Sequence, residues 1–106
     1  MMTVPNLSNE DRRAALDKAA VVRRQRAELR RRLKAGEVSL ADVLRRRDDP
    51  VVGKMKVQAL IESLPGYGKA RAASAMDEIG IVASRRVQGL GSRQLAALVA
   101  YFDEKD

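Results

Sequence analysis

The sequence predicts an all-α protein built as a single small domain, and three observations support this prediction. Apolar residues recur three and four positions apart in successive segments, and no segment alternates polar and apolar residues for long enough to form a strand. Glycine and proline fall mainly between these segments. The chain has 106 residues, 45% apolar and only 3% aromatic, so one modest core would consist of Leu, Ile, Val, Ala and Met.

The first predicted element is a long basic helix from Asn9 to about Ala35. Ser8 is a suitable N-cap, Glu10 and Asp11 favour the positive end of the helix dipole, and Gly36 is suited to end the helix. We therefore expect residues 1–36 to form a basic N-terminal arm and residues 37–106 to form a compact core, within one structural domain.

The two faces of this helix differ sharply in charge. A narrow apolar stripe is expected to pack only in its C-terminal half, and cations occupy the opposite side. The stripe consists of Ala15, Val22, Leu29 and Leu33. The cations are Arg12, Arg13, Arg23, Arg24, Arg30, Arg31 and Lys34.

Five shorter elements follow in the prediction. They are residues 40–47 with Ser39 as N-cap, a short piece at Pro50–Val52, residues 56–64, residues 69–79 ended by Gly80, and residues 92–102 capped by Ser92. Residues 81–91 connect the last two helices. The expected core residues are Leu40, Val43, Leu44, Met55, Val57, Leu60, Ile61, Leu64, Ala72, Ala73, Met76, Ile79, Leu95, Leu98, Val99 and Phe102.

The net charge of +7 is concentrated at the N-terminus. Residues 1–36 hold 10 Lys and Arg against 4 Asp and Glu, whereas residues 37–106 hold 11 against 10. This asymmetry predicts a basic arm that binds a polyanion. A membrane surface is disfavoured because the basic helix lacks a large apolar face with Trp or Phe.

The composition also excludes several classes of function. The chain has neither Cys nor His, so the usual zinc sites, disulfides and the commonest general base are absent. It contains no Walker loop, no dinucleotide fingerprint and no nucleophile with a base, so we expect neither an enzyme nor a metal or cofactor. Residues 1–6 lack an apolar signal core, and no run reaches the ~20 apolar residues of a membrane span, so a cytoplasmic location is expected.

The strongest motif is the first glycine turn, residues 64–72, which joins two predicted helices. Its backbone N–H groups at Gly66, Gly68, Lys69 and Ala70 are expected to hold a phosphate, with charge from Lys69 and Arg71. We expect Gly68 to take a positive φ, so that a β-branched residue would disturb the turn. Tyr67 is expected to pack under the turn, with base stacking as an alternative. The simpler interpretation is a tight helix connection that needs glycine only for its geometry.

A second glycine turn, residues 83–93, repeats the arrangement before the last helix. Paired arginines precede two glycines, which is suited to phosphates on the other side of a groove. The predicted contacts are Ser84, Arg85, Arg86, Gln88, Gly89, Leu90, Gly91 and Arg93. A solvated basic loop is the alternative. Nearby, Lys54 and Lys56 flank an apolar Met55, and the two lysines are expected only to be exposed.

The basic helix is expected to add sequence-independent contacts that weaken as salt rises. Those contacts are assigned to Arg23, Arg24, Arg30, Arg31 and Lys34. A merely solvated face is the alternative, but the few acids of the helix cannot neutralise its cations by side-chain pairing.

Three ordered motifs resemble the actinobacterial integration host factor family. They are Gly53-Lys54-Met55-Lys56-Val57, Leu64-Pro65-x-x-Gly68-Lys69 and Arg85-Arg86-x-x-Gly89-Leu90-Gly91-x-Arg93-Gln94, after a long basic helix. The resemblance extends from about Leu7 to Phe102. It implies a helix-two-turns-helix fold, similar to a helix–hairpin–helix, that binds duplex DNA with little sequence preference. Gln88 and Gly66 depart from the pattern, since basic residues are common at both positions.

The resemblance implies a nucleoid-associated protein that shapes the chromosome and can assist a phage integrase in DNA recombination. From the residues, we expect the relative orientation of the two glycine turns to favour a bent path of the DNA. A topoisomerase is a further conceivable partner, and we expect a monomer. Two other classes of function stay open at this point. One is an RNA- or ribosome-associated protein, and the other is an adaptor whose basic helix binds an acidic protein.

Overall fold

The computed structural model describes residues 9–105 and consists of helices. Within this range the backbone forms no strand, and a single antiparallel bridge joins Lys56 to Arg86. The helices are α1 (Asn9–Ala35), α2 (Leu40–Leu44), α3 (Pro50–Gly53), α4 (Val57–Glu62), α5 (Lys69–Ile79) and α6 (Ser92–Lys105), with a 3₁₀ turn at Val87–Gly89. The predicted all-α class is confirmed.

Helix α1 has the predicted bounds and packs only through its C-terminal half. Leu29 and Leu33 are its buried residues, whereas Leu16 is 68% exposed. Gly36 ends the helix at a φ of +75°, and the Gly36 and Glu37 N–H groups donate to the Leu33 and Arg32 carbonyls. These two bonds form a Schellman motif, which explains the glycine. The predicted N-cap Ser8 lies outside the described residues.

Helix α2 is shorter than the prediction of residues 40–47. Ser39 and Asp42 form a reciprocal capping box at its start, as the N-cap prediction requires. After Leu44 the chain makes tighter turns, in which the Arg46 and Arg47 N–H groups donate to carbonyls three residues back. Pro50 disfavours helical geometry for the residue before it. Asp49 is accordingly extended and caps α3 through a 2.8 Å bond from the Val51 N–H.

One core joins all six helices and the connection before α6. Its fully buried members include Leu33, Leu60, Ile61, Met76 and Leu98. Ala73, predicted to face inward, is exposed, and Ala75 is buried instead. The face of α5 was mispredicted because small alanines on several sides give little amphipathic contrast.

Candidate nucleic-acid interface

The first glycine turn begins with a tight turn over residues 64–67. The Tyr67 N–H donates to the Leu64 carbonyl oxygen at 3.1 Å, and Pro65 and Gly66 occupy the two central positions. Gly66 has a φ of +79°. Proline followed by a residue of positive φ is the signature of a type II turn, so Gly66 is required by backbone geometry.

Gly68 differs from our prediction, because its φ is −113° and its backbone is extended. An added Cβ at Gly68 would meet no atom within 4 Å. A β-branched residue there would therefore cause no positive-φ strain, and the fold itself does not require glycine. The absence of a side chain leaves the start of α5 open to a close approach from outside.

The N–H groups at the start of α5 point out of the turn. The first bond of the helix runs from the Ala72 N–H to the Gly68 carbonyl oxygen at 3.0 Å, so the preceding residues lie before the hydrogen-bonded ladder. No side chain caps this helix. The geometry therefore has the open, positive helix end that an anion site needs.

The side chains of Tyr67 and Arg71 pack against each other at the first glycine turn. The Arg71 guanidinium lies 4.3 Å from the centre of the Tyr67 ring, and its Nη1 donates to the Gly66 carbonyl oxygen at 2.8 Å. The same ring contacts Phe102 edge-on, with centroids 5.5 Å apart. The half-buried position agrees with the packing predicted for Tyr67, and Arg71 covers a ring face that base stacking would need.

The second glycine turn is built differently from the first. Its tip holds Ser84 in a turn closed by a bond from the Arg85 N–H to the Val82 carbonyl, and the chain then enters the 3₁₀ turn. The Gly89 and Leu90 N–H groups donate to carbonyls within this turn, and Leu90 is buried. These two predicted contact residues therefore hold the turn in shape, and their N–H groups are already bonded.

Helix α6 is capped by Gly91 and not by Ser92 as predicted. The Leu95 N–H donates to the Gly91 carbonyl oxygen at 2.9 Å, and the Gln94 Oε1 accepts from the Gly91 N–H at 3.1 Å. This is one half of a capping box. The N–H groups of Ser92 and Arg93, next along the chain, lie at the open helix end, so both glycine turns end in a glycine-capped helix start.

The two arginines of the second turn are held by carbonyl oxygens. Arg85 Nη1 donates to the Gly89 carbonyl oxygen at 3.2 Å, while its buried Nε has no hydrogen-bond partner among the described residues. Arg86 Nη1 donates to the Lys54 carbonyl oxygen. The exposed Gln88 lies beside Gly53, where an added Cβ would come within 3.4 Å of the Gln88 side chain.

Three comparisons with known proteins agree on one family. Residues 33–102 match the family described as S13-like H2TH domain. The chain is 53% identical to Integration host factor from Streptomyces coelicolor, with 95% of each chain covered. It is 51% identical to Integration host factor from Mycobacterium tuberculosis, with 95% of this chain and 97% of the relative covered.

A solved structure gives the same result in three dimensions. The chain resembles a structure of sIHF bound to an 8bp palindromic DNA, with a TM-score of 0.79 and 53% identity, over 81% of this chain and 98% of the other. The chain belongs to the integration host factor family. This confirms the resemblance, and the helix-two-turns-helix class is confirmed with it.

The basic helix is neutralised by acidic side chains to a greater extent than we predicted, because one of its acids pairs with two of its arginines. Glu28 pairs with Arg31 at 2.9 Å and with Arg32 at 3.1 Å, and Glu37 adds a second partner for Arg31. Bonds from these two arginines lower the pKa of Glu28 from 4.5 to about 2. Arg31 is a predicted DNA contact, and a DNA phosphate would have to compete with two carboxylates, those of Glu28 and Glu37, for its guanidinium.

The other predicted contacts on the helix differ in their surroundings. Arg30 Nε donates to the Ser63 hydroxyl at 3.1 Å, which ties α1 to the end of α4. Among the described residues, Arg23, Arg24 and Lys34 form no ion pair, and the same holds for every cation of the two glycine turns. The positive charge that is available to a polyanion thus lies at the turns and along part of α1.

Residues 9–105 hold neither a membrane-spanning helix nor a cluster of metal-binding side chains. No helix in this range is long and apolar enough to cross a membrane. No group of three or more acidic side chains in it is placed to hold a metal ion.

Proposed function

We propose that this protein is a nucleoid-associated architectural protein that binds duplex DNA largely without sequence preference. The observation that supports this most strongly is the likeness, at 53% identity, to a protein solved with DNA bound. The relatives carry the name of a host factor and not of an enzyme, and nothing in these findings favours RNA. The nucleoid is the location that follows from this function.

The proposed mechanism is a grip at two helix starts. The open starts of α5 and α6 present main-chain N–H groups, and an oxygen of a DNA phosphate accepts from each group. Lys69 stands at the first start, and Arg93 at the second. Phosphates are the same at every base pair, so this grip carries no sequence information and loses strength as salt rises.

The two starts also offer a means of shaping DNA. Both helices pack into one core, so a duplex that contacts both starts must follow the path between them. The unpaired cations of α1, Arg23, Arg24 and Lys34, add contacts along the same or a second duplex. We propose that the protein acts as a monomer, and that an integrase or a topoisomerase works on the DNA it has shaped.

Competition between duplex DNA and structured RNA tests this function. A labelled short duplex is bound at fixed salt, and unlabelled duplex or a folded RNA of equal phosphate number is added. Duplex DNA should displace the label at lower concentration than the RNA. Stronger displacement by RNA would reverse the assignment. An adaptor would instead show weak DNA binding that salt abolishes and that a substitution at Gly68 leaves unchanged.

A further inference from the structure

Two stretches far apart in sequence run antiparallel beside the second glycine turn. The Val57 N–H donates to the Arg85 carbonyl oxygen at 3.0 Å, and the Val87 N–H donates to the Met55 carbonyl oxygen at 2.9 Å. These bonds make Lys56 and Arg86 a directly opposed pair. The pair lies between the two bonds and does not itself exchange them, and opposed residues of this kind lie closest together in an antiparallel ladder.

This pairing places two basic residues directly opposite each other in the backbone. Both side chains are exposed, and Lys54, also exposed, adds a third cation next to buried Met55. Among the described residues no carboxylate forms an ion pair with any of the three cations. Like charges directly opposite in a ladder destabilise the folded state, so the arrangement is unfavourable unless an anion lies between them.

The Arg86 side chain is also fixed in place. Its Nη1 donates to the carbonyl oxygen of Lys54, which leaves its other N–H groups free to donate elsewhere. A guanidinium held in this way loses little side-chain freedom on binding a phosphate, and its fork of donors suits phosphate oxygens.

We infer that Lys56 and Arg86, with Lys54 beside them, bind one backbone phosphate of the DNA as a third contact point, separate from the two helix starts. The inference rests on the proposed function. The ligand is a phosphate of a DNA strand because the cluster adjoins the second glycine turn. The inference gives Lys56 a role in DNA binding, whereas our sequence analysis expected this lysine only to be exposed.

The test is the salt dependence of binding by Lys56→Gln. Affinity for a short labelled duplex is measured by fluorescence anisotropy over a series of salt concentrations. Lys56 is one of three cations proposed to share this phosphate, so its loss should reduce the slope of log K against log salt by a measurable amount, up to the ~0.9 that one phosphate contributes. Lys56→Arg, which keeps the charge, should retain the wild-type slope. The control is Arg45→Gln, which removes the same net charge at a side chain paired with Asp42 and should leave the slope nearly unchanged.

Thermal unfolding separates this role from a structural one. Lys56 makes no side-chain bond at the start of α4, and Lys56→Gln removes its repulsion with Arg86. The variant should therefore melt at the same temperature as the wild type or higher, at low salt and without DNA. An unchanged salt slope, an equal loss in Lys56→Arg, or a lower melting temperature would each overturn the third contact. If the wild type itself does not bind duplex DNA, the proposed function fails instead.

Discussion

At the scale of single residues, the two glycines of the first turn serve different purposes. Gly66 has a φ of +79°, so Gly66→Ala should destabilise the protein by roughly 1–2 kcal/mol. Gly68 has a φ of −113° and open space where a Cβ would stand, so Gly68→Ala should cost less, roughly 0.5 kcal/mol, because alanine is a poorer N-cap than glycine. Denaturant unfolding of both variants measures this contrast.

Gly68→Ala, the variant with the smaller effect on stability, should nevertheless bind DNA more weakly than the wild type. Binding is measured at a temperature where the variant is folded. Gly68→Ala places a methyl group at the open start of α5, where a phosphate is proposed to lie, so affinity for duplex DNA should fall several-fold. If Gly68→Ala binds with wild-type affinity, the main-chain N–H groups at the start of α5 do not bind a DNA phosphate. A loss of stability in Gly68→Ala as large as that in Gly66→Ala would contradict the difference in backbone conformation between the two glycines.

Arg86 is predicted to contact phosphate and not a base. Arg86→Ala should weaken binding about equally on duplexes of different sequence and reduce the salt slope by about 1. Anisotropy titrations on several unrelated duplexes measure both quantities. If one sequence loses much more affinity than the others, Arg86 reads a base edge at that site.

At the scale of elements, charge pairing within α1 controls how much of the basic helix is available. Arg31 and Arg32 lower the pKa of Glu28 from 4.5 to about 2, so Glu28 is charged in the folded state well below its ordinary pKa. The stabilisation from these pairs is therefore present above pH 4.5 and is lost as the pH falls towards 2.

An NMR titration of the Glu28 carboxyl group measures this pKa directly. We expect a midpoint near 2 at low salt, and a midpoint closer to 4.5 at high salt, because the pairs are exposed to solvent. A Glu28 midpoint near 4.5 at low salt would mean that Arg31 and Arg32 are free to contact DNA.

The sequence predicted the elements well wherever local chemistry decides them. Caps at Ser39 and Gly80, the bounds of α1 and α5, and the position of both glycine turns all follow from signals within a few residues. The all-α class and the family are confirmed. The individual DNA contacts and the division at residue 36 stay predictions.

Features that depend on distant contacts could not be predicted in this way. The bond from Arg86 to the Lys54 carbonyl joins residues 32 positions apart, and no local pattern indicates it. The same holds for the bridge from Lys56 to Arg86. The cap at Gly91 is a different case, because Gln94 lies only three positions later and the oxygen that it supplies to the Gly91 N–H is a local signal that our prediction of Ser92 overlooked.

At the scale of the whole molecule, the long helix gives the protein its shape. The described residues span 58 × 27 × 25 Å, and α1 accounts for about 40 Å of the length at ~1.5 Å per residue. The buried residues of α1 lie only in its C-terminal half, so the proposed contacts of the basic helix extend beyond those of the two helix starts.

Shaping of DNA can be measured with a circular plasmid and an enzyme that relaxes supercoils. If the core imposes a fixed path on the duplex, relaxation in the presence of the protein should leave a shifted distribution of topoisomers after the protein is removed. Arg86→Ala should shift the distribution less at equal concentration. A distribution identical to that of free DNA would show that the protein coats DNA without shaping it.

The most direct test of the two-point grip follows the backbone amide NMR signals as short duplex DNA is added. Large shifts are expected for Gly68, Lys69 and Ala70 at the start of α5, and for Ser92 and Arg93 at the start of α6. These shifts should reverse as salt rises. Shifts confined to α1, with both helix starts unchanged, would contradict the grip and leave the basic helix as the binding element.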